Sequence, residues 1–206
     1  RQAKFVQPVR KFIQEGNLGK IHQIFFGGQH PLLYGTRANW YFEEGKHGGT
    51  INDIAIHGID LVEYLTGLSM KRVIAARCWN AFAKEVPSFK DSAQFMIELS
   101  NGAGLMADVS YSAPNSSGYK LPFYWRFTLW GTKGVMEFNY NSKEITVALD
   151  GKPDVETIPI PNEDTGDCLS IFVDELNGKP TYIDTEQVLK ATRNTLLIQE
   201  YADKQG

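Results

Sequence analysis

A chain of 206 residues, 42% of them hydrophobic, is long enough to bury a sizeable core, and we expect one domain over residues 1–206. A formal net charge of −3 and scattered Lys and Arg residues exclude an electrostatic basis for binding nucleic acid or an acidic membrane surface. No apolar run is long enough to span a membrane, and two cysteines, Cys78 and Cys168, are too few for a secreted disulfide scaffold, so we predict a cytoplasmic protein with reduced thiols.

The first fifty residues predict a helix, a strand and a long irregular segment. Residues 5–14 carry apolar side chains at helical spacing, and Gly16 follows as a helix-ending residue. Residues 21–26 are typical of a strand, and residues 27–49 are rich in glycine and aromatic residues. A loop of that length usually has a function. Because the chain opens with Arg1 directly before the first helix, we expect the sequence to be part of a longer protein.

A second helix and a run of strands follow. Residues 50–65 are mostly apolar and end before Thr66-Gly67, which predicts a long buried helix. The alternation of apolar and polar residues in 93–99 is that of a half-buried strand, and Asn101-Gly102 is typical of a hairpin turn. Further strands are predicted at 72–78, 105–111, 124–130, 135–140, 145–149 and 155–160, and helices at 168–176 and 184–203.

This order of elements predicts an α+β fold with a large, mostly antiparallel sheet and helices on one sheet face. The alternation suggests that the other face carries a set of large apolar residues, namely Met106, Trp125, Phe127, Leu129, Met136 and Phe138. A sheet face this apolar is usually covered by a partner, so we predict a homodimer or homotetramer assembled through it. The alternative, in which helices cover both faces, remains open.

One stripe of polar residues interrupts the apolar surface of the second helix. Asp53, His57, Asp60 and Tyr64 follow one another at spacings of four, three and four, which puts them on one helix face. Burying such groups is unfavourable unless they are paired or face a cleft. Two structural interpretations remain open: a stripe that faces solvent, and a core histidine held by Asp53.

The chemistry that suits this stripe is proton transfer. A histidine titrates near neutral pH, and a carboxylate one turn away can orient it and stabilise its charged form. Such a pair could take the proton of a substrate hydroxyl while a hydride leaves the same carbon. Gly48 and Gly49, directly before the helix, would let the backbone approach a ligand closely.

Other kinds of site have weaker support. His30, His47 and His57 could be combined with Asp53 as zinc ligands, but no cysteine pair or H-x-x-x-H helix accompanies them, and we predict no metal. No G-x-G-x-x-G motif occurs, so we assign no cofactor-binding residue to this chain. Serine-nucleophile and P-loop motifs are also absent from the sequence.

Residues 48–60 read G-G-T-I-N-D-I-A-I-H-G-I-D and resemble the G-G-x-x-x-D-x-x-x-H-x-x-D signature of the Gfo/Idh/MocA family, which includes glucose–fructose oxidoreductase and inositol dehydrogenase. Residues 11–21 are similar to the family's helix–turn–strand entry to its second domain, and residues 131–134 to one of its turns. The segment from Phe172 to the last helix is similar to its carboxy-terminal part, so the resemblance covers nearly the whole chain.

The resemblance implies a two-domain oxidoreductase. The first domain of such an enzyme is a Rossmann fold that binds NAD or NADP and carries the lysine of the family's E-K-P motif near the nicotinamide, and both are absent from these 206 residues. The second domain, to which this chain is similar, binds the sugar or polyol substrate and has a large, mostly antiparallel sheet with helices on one face and the other face used for oligomerisation. The resemblance therefore implies a partner domain, a cofactor bound mainly outside this chain, and a small-molecule substrate.

Site residues carry over by position. The resemblance implies that His57 donates and accepts the proton, and that Asp53 binds the substrate hydroxyl or orients His57. Asp60 would be a structural hydrogen-bond partner. Asn52 and Trp40 would contact the substrate.

Two departures from the family pattern fall in the substrate-facing loop. His47 stands where the family often has a first glycine before Gly48 and Gly49. Tyr41 stands where an arginine commonly follows the tryptophan, and Arg37, which lies upstream, is our candidate for that substrate contact. Both departures concern the identity of the substrate.

We therefore predict the substrate-binding and acid/base domain of an NAD(P)-dependent dehydrogenase that acts on CH–OH groups. The isolated chain is expected to be inactive because it lacks the cofactor site. The alternatives are a non-catalytic sugar-binding or oligomerisation module derived from such an enzyme, and a metal hydrolase that uses His57.

Overall fold

The computed structural model describes residues 1–121, 124–162 and 167–205. In these ranges four α-helices accompany one eight-stranded sheet, which confirms the predicted α+β class. The elements in chain order are α1 (Val6–Gln14), β1 (Ile21–Pro31), a 3₁₀ turn (Asn39–Phe42), a π-helical turn (Ile51–Ala55), α2 (Ile56–Thr66), β2 (Met70–Trp79), β3 (Ser92–Leu99), β4 (Gly104–Ala113), β5 (Arg126–Gly131), β6 (Gly134–Asn139), β7 (Glu144–Leu149), β8 (Glu156–Pro159), α3 (Cys168–Leu176) and α4 (Thr185–Asp203).

Each predicted helix and strand is present, and the differences lie at the boundaries. β1 continues to Pro31, so the irregular segment is shorter than predicted. The strand predicted at residues 124–130 begins only at Arg126, because Trp125 has a φ of 46° and leaves extended geometry. The helix predicted at residues 50–65 consists of the π-helical turn followed by α2.

β1 lies inside the sheet although it is the first strand of the chain. The strand order is β2-β3-β4-β1-β5-β6-β7-β8, and every neighbouring pair is antiparallel except β1 and β4, which are parallel. Phe25 is therefore placed between Met106 of β4 and Thr128 of β5. The remaining strands are joined to their neighbours as successive antiparallel pairs.

The core lies between the sheet and the helices α1, α2 and α4. Phe26 at its centre is fully buried and contacts the rings of Phe95, Trp125 and Phe127. α2 comes close to this cluster because Gly58 has no side chain, and a Cβ at that position would overlap the Phe26 ring. The helix that carries His57 therefore rests directly on the aromatic core.

The predicted composition of the uncovered sheet face was wrong for all but one residue. Trp125, Phe127, Leu129, Met136 and Phe138 are buried in the core on the helix-covered side. Their facing is set by register, because Phe127 pairs with both Phe26 and Phe138. Alternation along a strand indicates two faces, but it does not say which face the helices cover. Only Met106, 49% exposed, lies on the uncovered face as predicted.

The uncovered face is mixed in character. Met96 and Met106 are exposed and neighbour the half-buried Phe25, while Arg77 and Asp108 lie one row away. None of the helices described is long and apolar enough to cross a membrane.

Candidate functional site

The π-helical turn separates the two residues of the predicted pair. Asp53 lies within this turn, whereas His57 lies in the first turn of α2. Because a π turn holds more residues than an α turn, side chains four apart are not stacked as they would be in a continuous α-helix. Short π segments inside helices occur often at functional sites. Asp53 and His57 consequently have different neighbours.

Backbone freedom and the last helix position the π-helical turn. Gly48 and Gly49 have φ values of 79° and 99°, which glycine adopts readily. A Cβ on Gly49 would overlap the side chain of Gln199 on α4. Gln199 Oε1 accepts a hydrogen bond from the Ile51 backbone N–H at 3.1 Å, and Asn52 Nδ2 donates to the Gly48 carbonyl at 2.6 Å.

Two tyrosines and a histidine surround the Asp53 carboxylate. Asp53 Oδ2 accepts hydrogen bonds from the hydroxyl of Tyr41 at 2.5 Å and from that of Tyr111. Tyr111 is fully buried, and its hydroxyl also lies 2.8 Å from His47 Nε2. His47 Nε2 lies 3.7 Å from Asp53 Oδ2. We call Tyr41, His47, Asp53 and Tyr111 the Asp53 cluster.

The Asp53 cluster keeps its carboxylate ionised. Burial alone would raise the pKa of Asp53, but His47, Tyr111 and Tyr41 outweigh it and hold that pKa well below its usual range. Burial and the negative charge of Asp53 raise the pKa of both tyrosine hydroxyls. Asp53 is therefore ionised at neutral pH, and the two tyrosine hydroxyls act as its hydrogen-bond donors. In the described part of the chain, Asp53 Oδ1 accepts no hydrogen bond, so it can accept one from a ligand.

His57 lies beside the core rather than on the Asp53 cluster. Its ring meets Trp125 edge to face, with centroids 5.7 Å apart. Burial lowers the pKa of His57, although the charges of Asp53 and Asp60 partly offset this effect. No hydrogen bond joins His57 to Asp53 among the described residues, and their interaction is one of charge. His57 is exposed at the surface of the described residues, and its lowered pKa favours the neutral imidazole, the form that can accept a proton.

Trp125 shapes the space beside His57. Its left-handed backbone conformation is unusual for a bulky residue and is a form of strain that concentrates at functional sites. The indole packs against Gly28, where a Cβ would lie 2.9 Å from the ring. His30 contacts Trp125 at 5.8 Å on another side, and burial lowers the pKa of His30 to about 4.

The rest of the predicted stripe has structural neighbours. Asp60 receives two hydrogen bonds from the Arg1 guanidinium, at 2.6 and 3.0 Å. The guanidinium groups of Arg1 and Arg10 lie over the Tyr64 ring, 4.7 and 4.5 Å from its centroid. Asp60 and Tyr64 thus anchor the start of the chain to α2, and neither of these contacts involves His57.

The two remaining predicted substrate contacts lie in the loop after β1. Arg37 donates hydrogen bonds to the backbone carbonyls of Leu32 and Pro31, and its guanidinium lies 4.4 Å from the Tyr41 ring centroid. Trp40 is half exposed and contacts Tyr41 at 5.5 Å. Both residues are thereby connected to the Asp53 cluster through Tyr41.

Sequence reasoning missed Tyr41, Tyr111 and Trp125 as members of this site. In the sequence, Tyr41 stands out only as a departure from the family pattern, and Tyr111 only as the last residue of a predicted strand. In residues 1–121, 124–162 and 167–205 no group of three or more His, Cys, Asp or Glu is arranged to hold a metal ion.

Removing the Tyr111 hydroxyl tests the Asp53 cluster. Tyr111→Phe should lower the free energy of unfolding by about 1.5–3 kcal/mol, because a hydrogen bond to a charged group is lost in a buried setting. The pKa of Asp53 should rise toward its ordinary value. Urea unfolding and an NMR titration of the carboxyl carbon measure the two effects. Tyr140→Phe, at an exposed ring, is the control, and equal effects in both variants would contradict the assignment.

Comparison with solved structures identifies the fold. A proposed oxidoreductase from Thermotoga maritima matches all of this chain with a TM-score of 0.85 and 20% identity over 60% of its own length. Levoglucosan dehydrogenase in complex with NADH and levoglucosan matches all of the chain at 0.76 and 21% over 63% of its length. Aldose-aldose oxidoreductase from Caulobacter crescentus, complexed with glycerol, matches all of the chain at 0.73 and 22% over 60% of its length. The chain thus spans about three fifths of these proteins.

Sequence comparison identifies the family. No curated protein sequence matches the chain. The family profile described as "GFO/IDH/MocA C-terminal domain" matches residues 6–137, a segment that contains α1, the Asp53 cluster and His57. This match spans more than half of the sequence, and the chain belongs to the GFO/IDH/MocA family.

Proposed function

We propose that this chain is the substrate-binding and proton-transfer domain of an NAD(P)-dependent oxidoreductase that acts on the CH–OH group of a sugar, a polyol or a related compound. The observation that carries the proposal is the placement of the exposed His57 imidazole in the first turn of α2, directly after the π-helical turn that holds Asp53, whose Oδ1 accepts no hydrogen bond from the described residues. One group can take a proton, and the other can hold the hydroxyl that loses it.

The site residues of this chain have separate roles in the proposed reaction. Asp53 Oδ1 accepts a hydrogen bond from the substrate hydroxyl and fixes its position, while Tyr41 and Tyr111 hold the carboxylate through Oδ2. His57 removes the hydroxyl proton in the oxidation direction and returns it in the reduction direction. NAD or NADP, bound in a preceding Rossmann domain, supplies the hydride acceptor. The 206 residues lack a dinucleotide-binding motif, so the proposal assigns them no cofactor contact.

The substrate class rests on the loop residues and the relatives. Trp40 offers an exposed aromatic face, and Asn52 a side-chain oxygen beside Gly48. Arg37 uses Nε and Nη2 for backbone carbonyls, which leaves Nη1 as a donor to a substrate oxygen. Two of the similar structures are of a levoglucosan dehydrogenase and an aldose-aldose oxidoreductase, which favours a carbohydrate for this chain as well.

Assembly and location complete the proposal. Residues 1–206 would form one domain that follows a Rossmann domain in a cytoplasmic enzyme. Two copies would associate through the uncovered sheet face, with Phe25, Met96 and Met106 at the contact. The oligomer would be a homodimer or a homotetramer.

The proposal is tested with the full-length gene product. That protein is expected to reduce NAD⁺ or NADP⁺ in the presence of one member of a panel of sugars and polyols, followed by absorbance of the reduced nicotinamide. The 206-residue chain alone is expected to be inactive. Dinucleotide reduction by the chain alone would overturn the assignment of cofactor binding to a preceding domain. Tight sugar binding without any activity in the full-length protein would favour a non-catalytic module.

The pH dependence of the oxidation identifies the proton acceptor. Only neutral His57 can accept the proton, so kcat/KM should fall as the pH falls through the pKa of His57. Burial lowers this pKa from 6.5, which places the acidic limb below pH 6.5. Asp53 stays ionised throughout, because its pKa lies well below its usual range. A rate that increases as the pH falls from 7 to 5 would contradict this role.

A further inference from the structure

One helix exposes its apolar side chains. Leu169, Phe172, Val173 and Leu176 of α3 are all exposed, with Leu169 at 69% and Leu176 at 70%. Their spacing of three, one and three residues forms a single stripe along the helix. We call these four residues the α3 stripe. An amphipathic helix normally turns such a stripe toward a core.

Nothing in the described part of the chain covers the α3 stripe. None of the nine residues of α3 is buried. Its described hydrogen bonds are polar contacts at the two ends of the helix: Asp167 caps its first turn by accepting from the Ser170 N–H at 2.9 Å, and Glu175 accepts from the Thr185 N–H at 2.7 Å. The second contact brings the start of α4 to the end of α3, where Val188 and Leu189 add more exposed apolar surface. Exposed apolar side chains grouped along one helix face usually mark a binding site.

The first residues of the chain lie at the same place. Cys168, the first residue of α3, donates its thiol hydrogen to Gln2 Oε1 at 3.1 Å. Arg1 donates to the carbonyl oxygen of Tyr182, between α3 and α4, at 3.1 Å, and also to Gln187 in α4. Any polypeptide that precedes Arg1 therefore enters the molecule beside the α3 stripe.

We propose that the α3 stripe is the docking surface for the domain that precedes Arg1 in the full-length protein. The inference rests on the proposed function, which assigns a nicotinamide-binding domain to that position. The chain matches only 60–63% of the length of its structural relatives, so their remaining length is sufficient for a domain. The four side chains would be buried in the interface between the two domains, which would fix how the cofactor approaches His57.

Thiol labelling in the full-length protein tests the inference. Leu176→Cys and Val155→Cys are made separately in a Cys168→Ser background, which removes the other exposed thiol of this chain. Val155 is the matched control, because it is 62% exposed and lies outside α3 and α4, directly before the edge strand β8. Maleimide labelling at each position is followed by mass spectrometry of the peptide and is normalised to the rate in urea. The thiol at position 176 is expected to react at least tenfold more slowly than the thiol at position 155.

Each outcome has a definite meaning. Equal labelling rates in a protein that binds NADH would overturn the inference and leave the proposed function intact. Slow labelling at position 176 that becomes fast on dilution would overturn it in favour of a second copy. Slow labelling at all concentrations in a protein that binds no dinucleotide, measured by NADH fluorescence, would support docking at the α3 stripe and overturn the proposed function. Slow labelling at all concentrations with NADH bound supports both.

Discussion

His57→Gln in the full-length protein should lower kcat by about 10²- to 10⁴-fold, because loss of a positioned acid/base group typically costs a factor of this size. Glutamine retains hydrogen-bonding capacity but cannot accept the substrate proton. The ring of His57 forms no hydrogen bond within the described residues and contacts Trp125, so its loss removes chemistry more than structure. NADH affinity should remain unchanged, since the proposed role of His57 concerns the substrate hydroxyl. Steady-state kinetics and NADH fluorescence measure the two quantities.

His22→Gln is the control for this experiment. His22 is exposed on β1, on the same chain but away from α2, and its replacement should leave kcat within about twofold. If His57→Gln kept more than a tenth of the wild-type kcat while His22→Gln was fully active, another group would be the proton acceptor. The acidic limb of the pH profile should disappear in His57→Gln.

Phe26→Ala should lower the free energy of unfolding by about 3–5 kcal/mol, the cost of emptying a fully buried aromatic site. The ring supports three other aromatic residues and the backbone of α2 at Gly58. A cavity at this point would loosen the helix that carries His57 and the indole of Trp125. We therefore expect kcat to fall as well. Urea unfolding at pH 7 measures the stability.

Phe82→Ala is the matched control, because Phe82 is the same residue type at a half-exposed position. Its replacement should cost less than about 1 kcal/mol, since exposed substitutions have small effects. Equal destabilisation by the two variants would show that Phe26 is not a central support. An unchanged kcat in Phe26→Ala would show that the geometry of the site does not depend on this part of the core.

The order of helices and strands could be predicted because it is encoded locally. The alternation in β3 and the apolar length of α2 are each visible within about ten residues. Asp53 and His57 could be identified for the same reason, since their spacing and the two preceding glycines lie in one short segment. The π-helical turn could not be predicted, because no residue in Ile51–Ala55 distinguishes a π turn from an α turn.

Contacts distant in sequence account for the other omissions. Tyr111 reaches Asp53 across 58 residues, and only the packing of β4 beside the π-helical turn brings them together. The sheet face on which Phe127 lies depends on its pairing with Phe26. The alternation within β5 does not reveal that pairing. The composition of the Asp53 cluster and the choice of which sheet face is buried both depend on how the strands pair. The sequence of a single strand does not specify that pairing.

The central position of β1 has a consequence for the order of folding. Phe25 pairs with Met106 and Thr128, roughly eighty and one hundred residues later, so both edges of β1 stay unpaired while the nearer hairpins form. Contacts at such separations make folding slow, and the unpaired strand Ile21–Pro31 is apolar in part and prone to mispairing during that time. During synthesis β1 emerges before β4 and β5, and it completes its pairing only after β5 has been synthesised. The π-helical turn and His57 lie between β1 and these two partners in sequence, so the site is complete only after β4 and β5 have paired with β1.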